Sequence, residues 1–136
     1  MVTAKITYQG DLRTECTHLQ SGNTLITDAP CDNQGKGEAF SPTDLLATSL
    51  GACILTIMGI KARDNQIDIT GTEVEITKIM ASDPRRVSEV VVEFFFPERP
   101  YTPEEKALVE SVAGTSPVPL SLHPALVQTI LFHWPA

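Results

Sequence analysis

The segment SPTDLLATSLGACILTIMGI, residues 41–60, constrains the fold more than any other part of the chain. Ser41 is placed to cap the free amides of a helix, Pro42 loses nothing at the first helical position, and Asp44 completes a capping box. Behind this start, residues 45–60 carry no charge and are apolar or small on every face. That pattern describes a helix buried all round by other elements. The run is shorter than the roughly 20 predominantly apolar residues of a membrane span. It also carries Thr48, Ser49, Gly51, Thr56 and Gly59, so it reads as a core helix. Its small residues would let a second helix approach closely.

The flanking segments read mostly as strands. Residues 2–9 put Val2, Ala4, Ile6 and Tyr8 on one side, and residues 12–18 and 23–28 continue as short strands broken by Gly10-Asp11 and Ser21-Gly22-Asn23. An N-terminal antiparallel meander is expected. Residues 29–40, APCDNQGKGEAF, favour a flexible loop. A loop of about a dozen residues inside a small domain is often functional.

Beyond the helix, which Lys61 to Asn65 should end, Thr72–Ala81 alternates Val74, Ile76 and Lys78 against Glu73, Glu75 and Thr77, and Arg86–Phe96 continues as a second strand. Ser82-Asp83-Pro84-Arg85 has turn chemistry, which predicts a long hairpin. Thr102-Pro103-Glu104-Glu105 starts another helix that Gly114 stops, a short helix is expected at Pro117–Leu122, and Leu126–Trp134 closes as a strand. The order β-β-β-α-β-β-α-α-β, with strands clustered in hairpins, predicts an α+β fold with an antiparallel sheet and not a doubly wound nucleotide fold. No phosphate-binding glycine motif is present.

The 136 residues predict one domain, 1–136. Ten basic against 17 acidic residues give a net charge of −7, the opposite of a phosphate-gripping surface, so nucleic acid is not an expected partner. The opening MVTAKITYQG lacks the features of a secretory signal, and the mature chain is expected to start at Met1 or Val2. Three cysteines, Cys16, Cys31 and Cys53, form neither a CxxC pair nor an even disulfide set, which fits a reducing cytoplasm. His18, His123 and His133 are too scattered for a metal site, so no metal and no cofactor are expected. The aromatic residues read as core or interface packing.

On the residues alone, Cys53 is more readily a buried core thiol than a reactive one. It lies about three turns into its helix, beyond the reach of the N-terminal dipole, so a thiolate there needs a cation from elsewhere. Arg13, the one lysine or arginine in the strand at residues 12–18, is a candidate. Its plainer role is a surface ion pair with a residue such as Glu15.

The segment SPTDLLATSLGACILTIMGIKA, followed by a strand hairpin and later by AGTSPVPLSLHP, resembles the OsmC/Ohr family of bacterial thiol-dependent peroxidases, most of all its OsmC-like branch. The resemblance implies a small α+β protomer intertwined with a second copy, its strands wrapped around central helices and its active sites at the subunit interface. It implies that Cys53 is the peroxidatic nucleophile and Arg13 the activating arginine. Two positions depart from the family pattern. Ser116 stands where a resolving cysteine precedes Pro117-Val118, so resolution would fall to Cys31, Cys16 or an external thiol. Ser116 itself is expected to cap the short helix at Pro117. Thr43 stands where Ohr-type enzymes place a glutamate, leaving Asp44 or Glu38 as the partner of Arg13. The implied function is a cytoplasmic, homodimeric peroxidase that reduces organic hydroperoxides or hydrogen peroxide with an external thiol. The alternative is a non-enzymatic homodimer that binds a small apolar ligand or senses thiol oxidation.

Overall fold

A computed structural model describes residues 1–136. The elements, in order, are β1 (Ala4–Gly10), β2 (Arg13–His18), β3 (Thr24–Asp28), α1 (Pro42–Asp64), β4 (Glu73–Ala81), β5 (Arg86–Phe95), α2 (Pro103–Glu110), α3 (Pro117–Ser121) and β6 (Val127–His133). The α+β order is the expected one. The chain divides into two compact units, Met1–Leu46 and Ala47–Ala136.

The first unit is the antiparallel meander β1-β2-β3. Each strand turns directly into the next, the short-loop connection that antiparallel pairing permits. Ile6, Tyr8 and Leu25 all remain exposed, so the apolar side expected of β1 is uncovered in the single chain. The segment 29–40 holds more structure than a flexible loop. It contains a 3-10 turn at Cys31–Asn33 and closes on itself through Gly35 N–H to Pro30 O and Gly37 N–H to Ala29 O. Gly35 is required there, because an added Cβ would lie 1.7 Å from the Ala29 carbonyl oxygen. The predicted capping box is present. Asp44 N donates to Ser41 Oγ and Ser41 N to Asp44 Oδ2, each at 3.0 Å.

The second unit builds its core on one stripe of α1. Ala47, Leu50, Ile54, Met58 and Ala62 recur at helical spacing and are buried with Val90, Val92 and Phe94, the inward alternates of β5. The close approach that glycine allows is made here by a strand. A Cβ at Gly51 would meet Ile76 Cδ1 at 2.6 Å and Val74 Cγ1 at 3.3 Å, both from β4.

Two expectations need correction, and one holds as far as a single chain can show it. First, one chain alone does not bury α1 all round, as its uniform apolarity leads one to expect, since Leu46 and Ile60 are 39% and 43% exposed. One sheet covers one stripe, and a helix apolar on every face has more surface than that. Second, α1 runs 23 residues, long and apolar enough to cross a membrane by length and composition. Its length therefore excludes nothing, and the packing of Leu50, Ile54 and Met58 into the core is what marks it as a core helix. Third, the sheet is not wholly antiparallel. β4 and β5 form the expected hairpin, but β6 lies parallel to β5, with Val90 opposite Gln128 and Phe94 opposite Phe132. The helical crossover through α2 and α3 returns the chain to the starting end of β5, and such a connection delivers a parallel strand. Phe94, Phe96, Phe132 and Trp134 stack along this side, with Phe96 and Trp134 centroids 3.6 Å apart.

Candidate functional site

Cys53 lies in the second unit, and it is half-buried rather than sealed in the core. Its sulfur accepts a hydrogen bond from the backbone N–H of Val118 at 3.5 Å. The sequence around Val118 explains why that amide is available. In α3, Pro117 is the first helical residue, Val118 the second and Pro119 the third. A capping side chain normally takes the amide of the second or third residue. Pro119 has no N–H to offer, so Val118 carries the one donor of that pair, and it is given to sulfur.

Ser116, buried at 0% exposure, occupies the N-cap position of α3 without capping it. Its hydroxyl donates instead to Ala113 O at 3.3 Å. This corrects the expected capping role, and the physical reason is the same shortage of amides. The arrangement places Ser116 two residues before the amide that meets Cys53. A donor to sulfur stabilises the charged thiolate more than the neutral thiol.

Arg13 lies in the first unit. It is not an exposed ion pair with Glu15. Its Nε and Nη2 grip Asp28 Oδ1 and Oδ2 at 2.7 Å each, and Nη2 also donates to Glu38 at 3.0 Å. Asp28 is only 1% exposed, and it also accepts the Glu38 N–H at 3.1 Å. The hydrogen bond from Arg13 is the main cause that holds the Asp28 carboxyl below the usual carboxylate range, and the same contact raises Arg13 further above its already high value. The fork-to-fork geometry fixes the guanidinium in orientation as well as in charge.

Of the two partners anticipated for Arg13, Glu38 is in contact, while Asp44 accepts from Ser41 N at the start of α1. Asp28 was missed, although the sequence carried a signal for it. The β2–β3 pairing sets Thr17 opposite Thr24, and counting outward from that turn sets Arg13 opposite Asp28. Opposed residues on neighbouring strands share a face.

The remaining thiols have local partners. Cys31 is exposed and its Sγ lies 3.5 Å from Lys36 O. Cys16 lies on β2 with its sulfur 3.8 Å from Thr14 Oγ1. Both belong to the first unit, and Cys53 and Ser116 to the second.

The family model described as OsmC-like protein matches residues 35–130. No curated protein matches the chain. Among solved structures, the chain is similar to a protein from Psychrobacter arcticus 273-4 provisionally named for osmotic stress induced and detoxification response. Their identity is 59%, the match covers 98% of this chain and 96% of that one, and the TM-score is 0.93. It is also similar to an organic hydroperoxide resistance protein OsmC from Legionella pneumophila at 15% identity, with 98% of both chains covered and a TM-score of 0.75. A third is an organic hydroperoxide resistance protein from Elizabethkingia anophelis, at 17% identity, 99% and 98% coverage and a TM-score of 0.69. The last two likenesses carry the fold alone.

Proposed function

Because the chain belongs to the OsmC-like protein family, we propose that it is a thiol-dependent peroxidase in which Cys53 attacks the O–O bond of an organic hydroperoxide or of hydrogen peroxide. The observation that carries this reading is the Val118 amide on the Cys53 sulfur. It puts a hydrogen-bond donor on the sulfur at a position that the α1 dipole does not reach.

The Cys53 thiolate displaces an alkoxide from the hydroperoxide, the transferred oxygen leaves Cys53 as a sulfenic acid, and a proton converts the alkoxide to an alcohol. An external thiol then condenses with the sulfenic acid, releasing water and leaving a mixed disulfide, and a second thiol restores Cys53 while forming the external disulfide. Arg13, oriented by Asp28 and Glu38, is assigned to favour thiolate over thiol and to polarise the peroxide oxygens. Asp44 is assigned to the start of α1 and not to the chemistry. Ser116 has no thiol, so it cannot resolve the sulfenic acid.

In this reading two copies form a homodimer that covers the exposed apolar residues of α1. The family, and the detoxification response for which the 59% identical Psychrobacter protein is named, support a detoxifying role. The experiment is a steady-state assay with cumene hydroperoxide and a dithiol reductant. Many turnovers per chain, dependent on the reductant and lost in Cys53→Ser, are expected. A single equivalent of peroxide consumed, with or without reductant, overturns the enzyme reading and favours a redox-sensing homodimer.

A further inference from the structure

Cavities elsewhere in the second unit differ in what they offer a ligand. A cavity of about 620 Å³ runs along Leu55, Gly59 and Ala62 to the loop before β4, and the cations near it are committed. Arg63 pairs with Asp64, and Arg99 with Asp68. It therefore shows no selection for charge.

A second cavity, of about 510 Å³, lies between the tip of the β4–β5 hairpin and the turn that leads into β6. Its wall is mostly apolar, from Pro84, Val87, Ala125 and Leu126, and it carries Arg86 and His123. The volume falls in the range that takes a small organic molecule.

The donors on its wall are set by the backbone around them. Arg86 spends Nη1 on two turn carbonyls, Ser82 O at 3.2 Å and Pro84 O at 2.8 Å. Those are its protein hydrogen bonds, and it has no carboxylate partner. The Nε and Nη2 edge is left over, which is the fork that matches a carboxylate with two parallel bonds. On the other side, His123 Nδ1 accepts the Ala125 N–H at 3.0 Å. That acceptor role assigns the ring proton to Nε2, which then donates. The result is an anchored guanidinium fork and an imidazole N–H on the wall of one apolar cavity, in a chain whose net charge is −7.

We propose that this cavity binds a small organic monocarboxylate with an aliphatic body, its carboxylate held by Arg86 and His123 and its chain lying against Val87 and Leu126. The site is separate from Cys53 and does not rest on the peroxidase reading.

The test is an amide-resolved NMR titration of the full chain with three probes: hexanoate, 1-hexanol and acetate. Hexanoate is expected to shift the amides of residues 85–88 and of His123, Ala125 and Leu126, and to bind at least tenfold more tightly than either 1-hexanol, which lacks the charge, or acetate, which lacks the tail. In Arg86→Gln the preference for hexanoate over 1-hexanol disappears. In Cys53→Ser the titration is unchanged, which separates this outcome from the fate of the peroxidase reading. Equal binding of hexanoate and 1-hexanol by the native chain overturns the proposal, and so do hexanoate shifts confined to other residues. The comparison of probes on the native chain decides the matter even if Arg86→Gln disturbs the hairpin tip.

Discussion

The backbone N–H of Val118 meets the sulfur of Cys53 at 3.5 Å, across 65 residues of sequence. Proline on either side of Val118 leaves this amide as the free donor at the start of α3. Replacing Val118 with proline removes the donor. We expect the alkylation rate of Cys53 by iodoacetamide at fixed pH to fall a few-fold, because loss of a hydrogen bond to the charged form lowers the thiolate fraction while raising the nucleophilicity of the thiolate that remains. Val118→Ala keeps the N–H and should keep the rate, which separates the amide from the side chain.

Ser116 stands buried two residues before that amide. Substituting Ser116→Cys places a thiol where the hydroxyl now rests. One equivalent of hydroperoxide should then produce, in peptide maps, a disulfide between Cys53 and the introduced thiol, and an added monothiol should no longer be captured by Cys53. Continued capture of the monothiol at the native level would show that position 116 does not communicate with the sulfur.

Asp28 gives the fold a dependence on acid. Its carboxyl titrates below the ordinary value in the folded chain, chiefly because Arg13 hydrogen-bonds to the charged form. As pH falls, the unfolded chain takes up this proton first, near pH 3.9. The stabilisation is therefore complete above that value and is lost as pH falls through the depressed native pKa. Urea midpoints measured from pH 6 downward should show this loss, and Asp28→Asn should start lower at pH 6 and lose less with acid.

The elements that sequence reading placed well are those set by local contacts. Ser41 and Asp44 form their capping box within one turn, and Thr102 and Glu105 repeat it at α2. Turn chemistry and period-two alternation were enough for the β4–β5 hairpin. The parallel β6 was not visible, because strand direction depends on where the crossover returns. The Val118 contact was equally hidden. The missing amide donor of Pro119 could be read from the sequence, whereas the proximity of the Cys53 sulfur comes only from tertiary packing. Uniform apolarity along α1 was legible as more surface than one small chain covers, and the exposed Leu46 and Ile60 agree with that.

The exposed Leu46 and Ile60 on α1 lead to a prediction about assembly. Light scattering at micromolar concentration should give twice the chain mass of 14.8 kDa. Ile60→Glu, which buries an unpaired charge in the proposed interface, should shift the population toward the single chain. A monodisperse single chain in the native protein would remove the homodimer from the account.

The most direct test of the central claim is peptide mapping of the fully reduced protein after one equivalent of an alkyl hydroperoxide, with a sulfenic-acid trap present. Rapid formation of the trap adduct on Cys53, ahead of the exposed Cys31, is expected. Oxidation of Cys31 or Cys16 while Cys53 remains a thiol would contradict it.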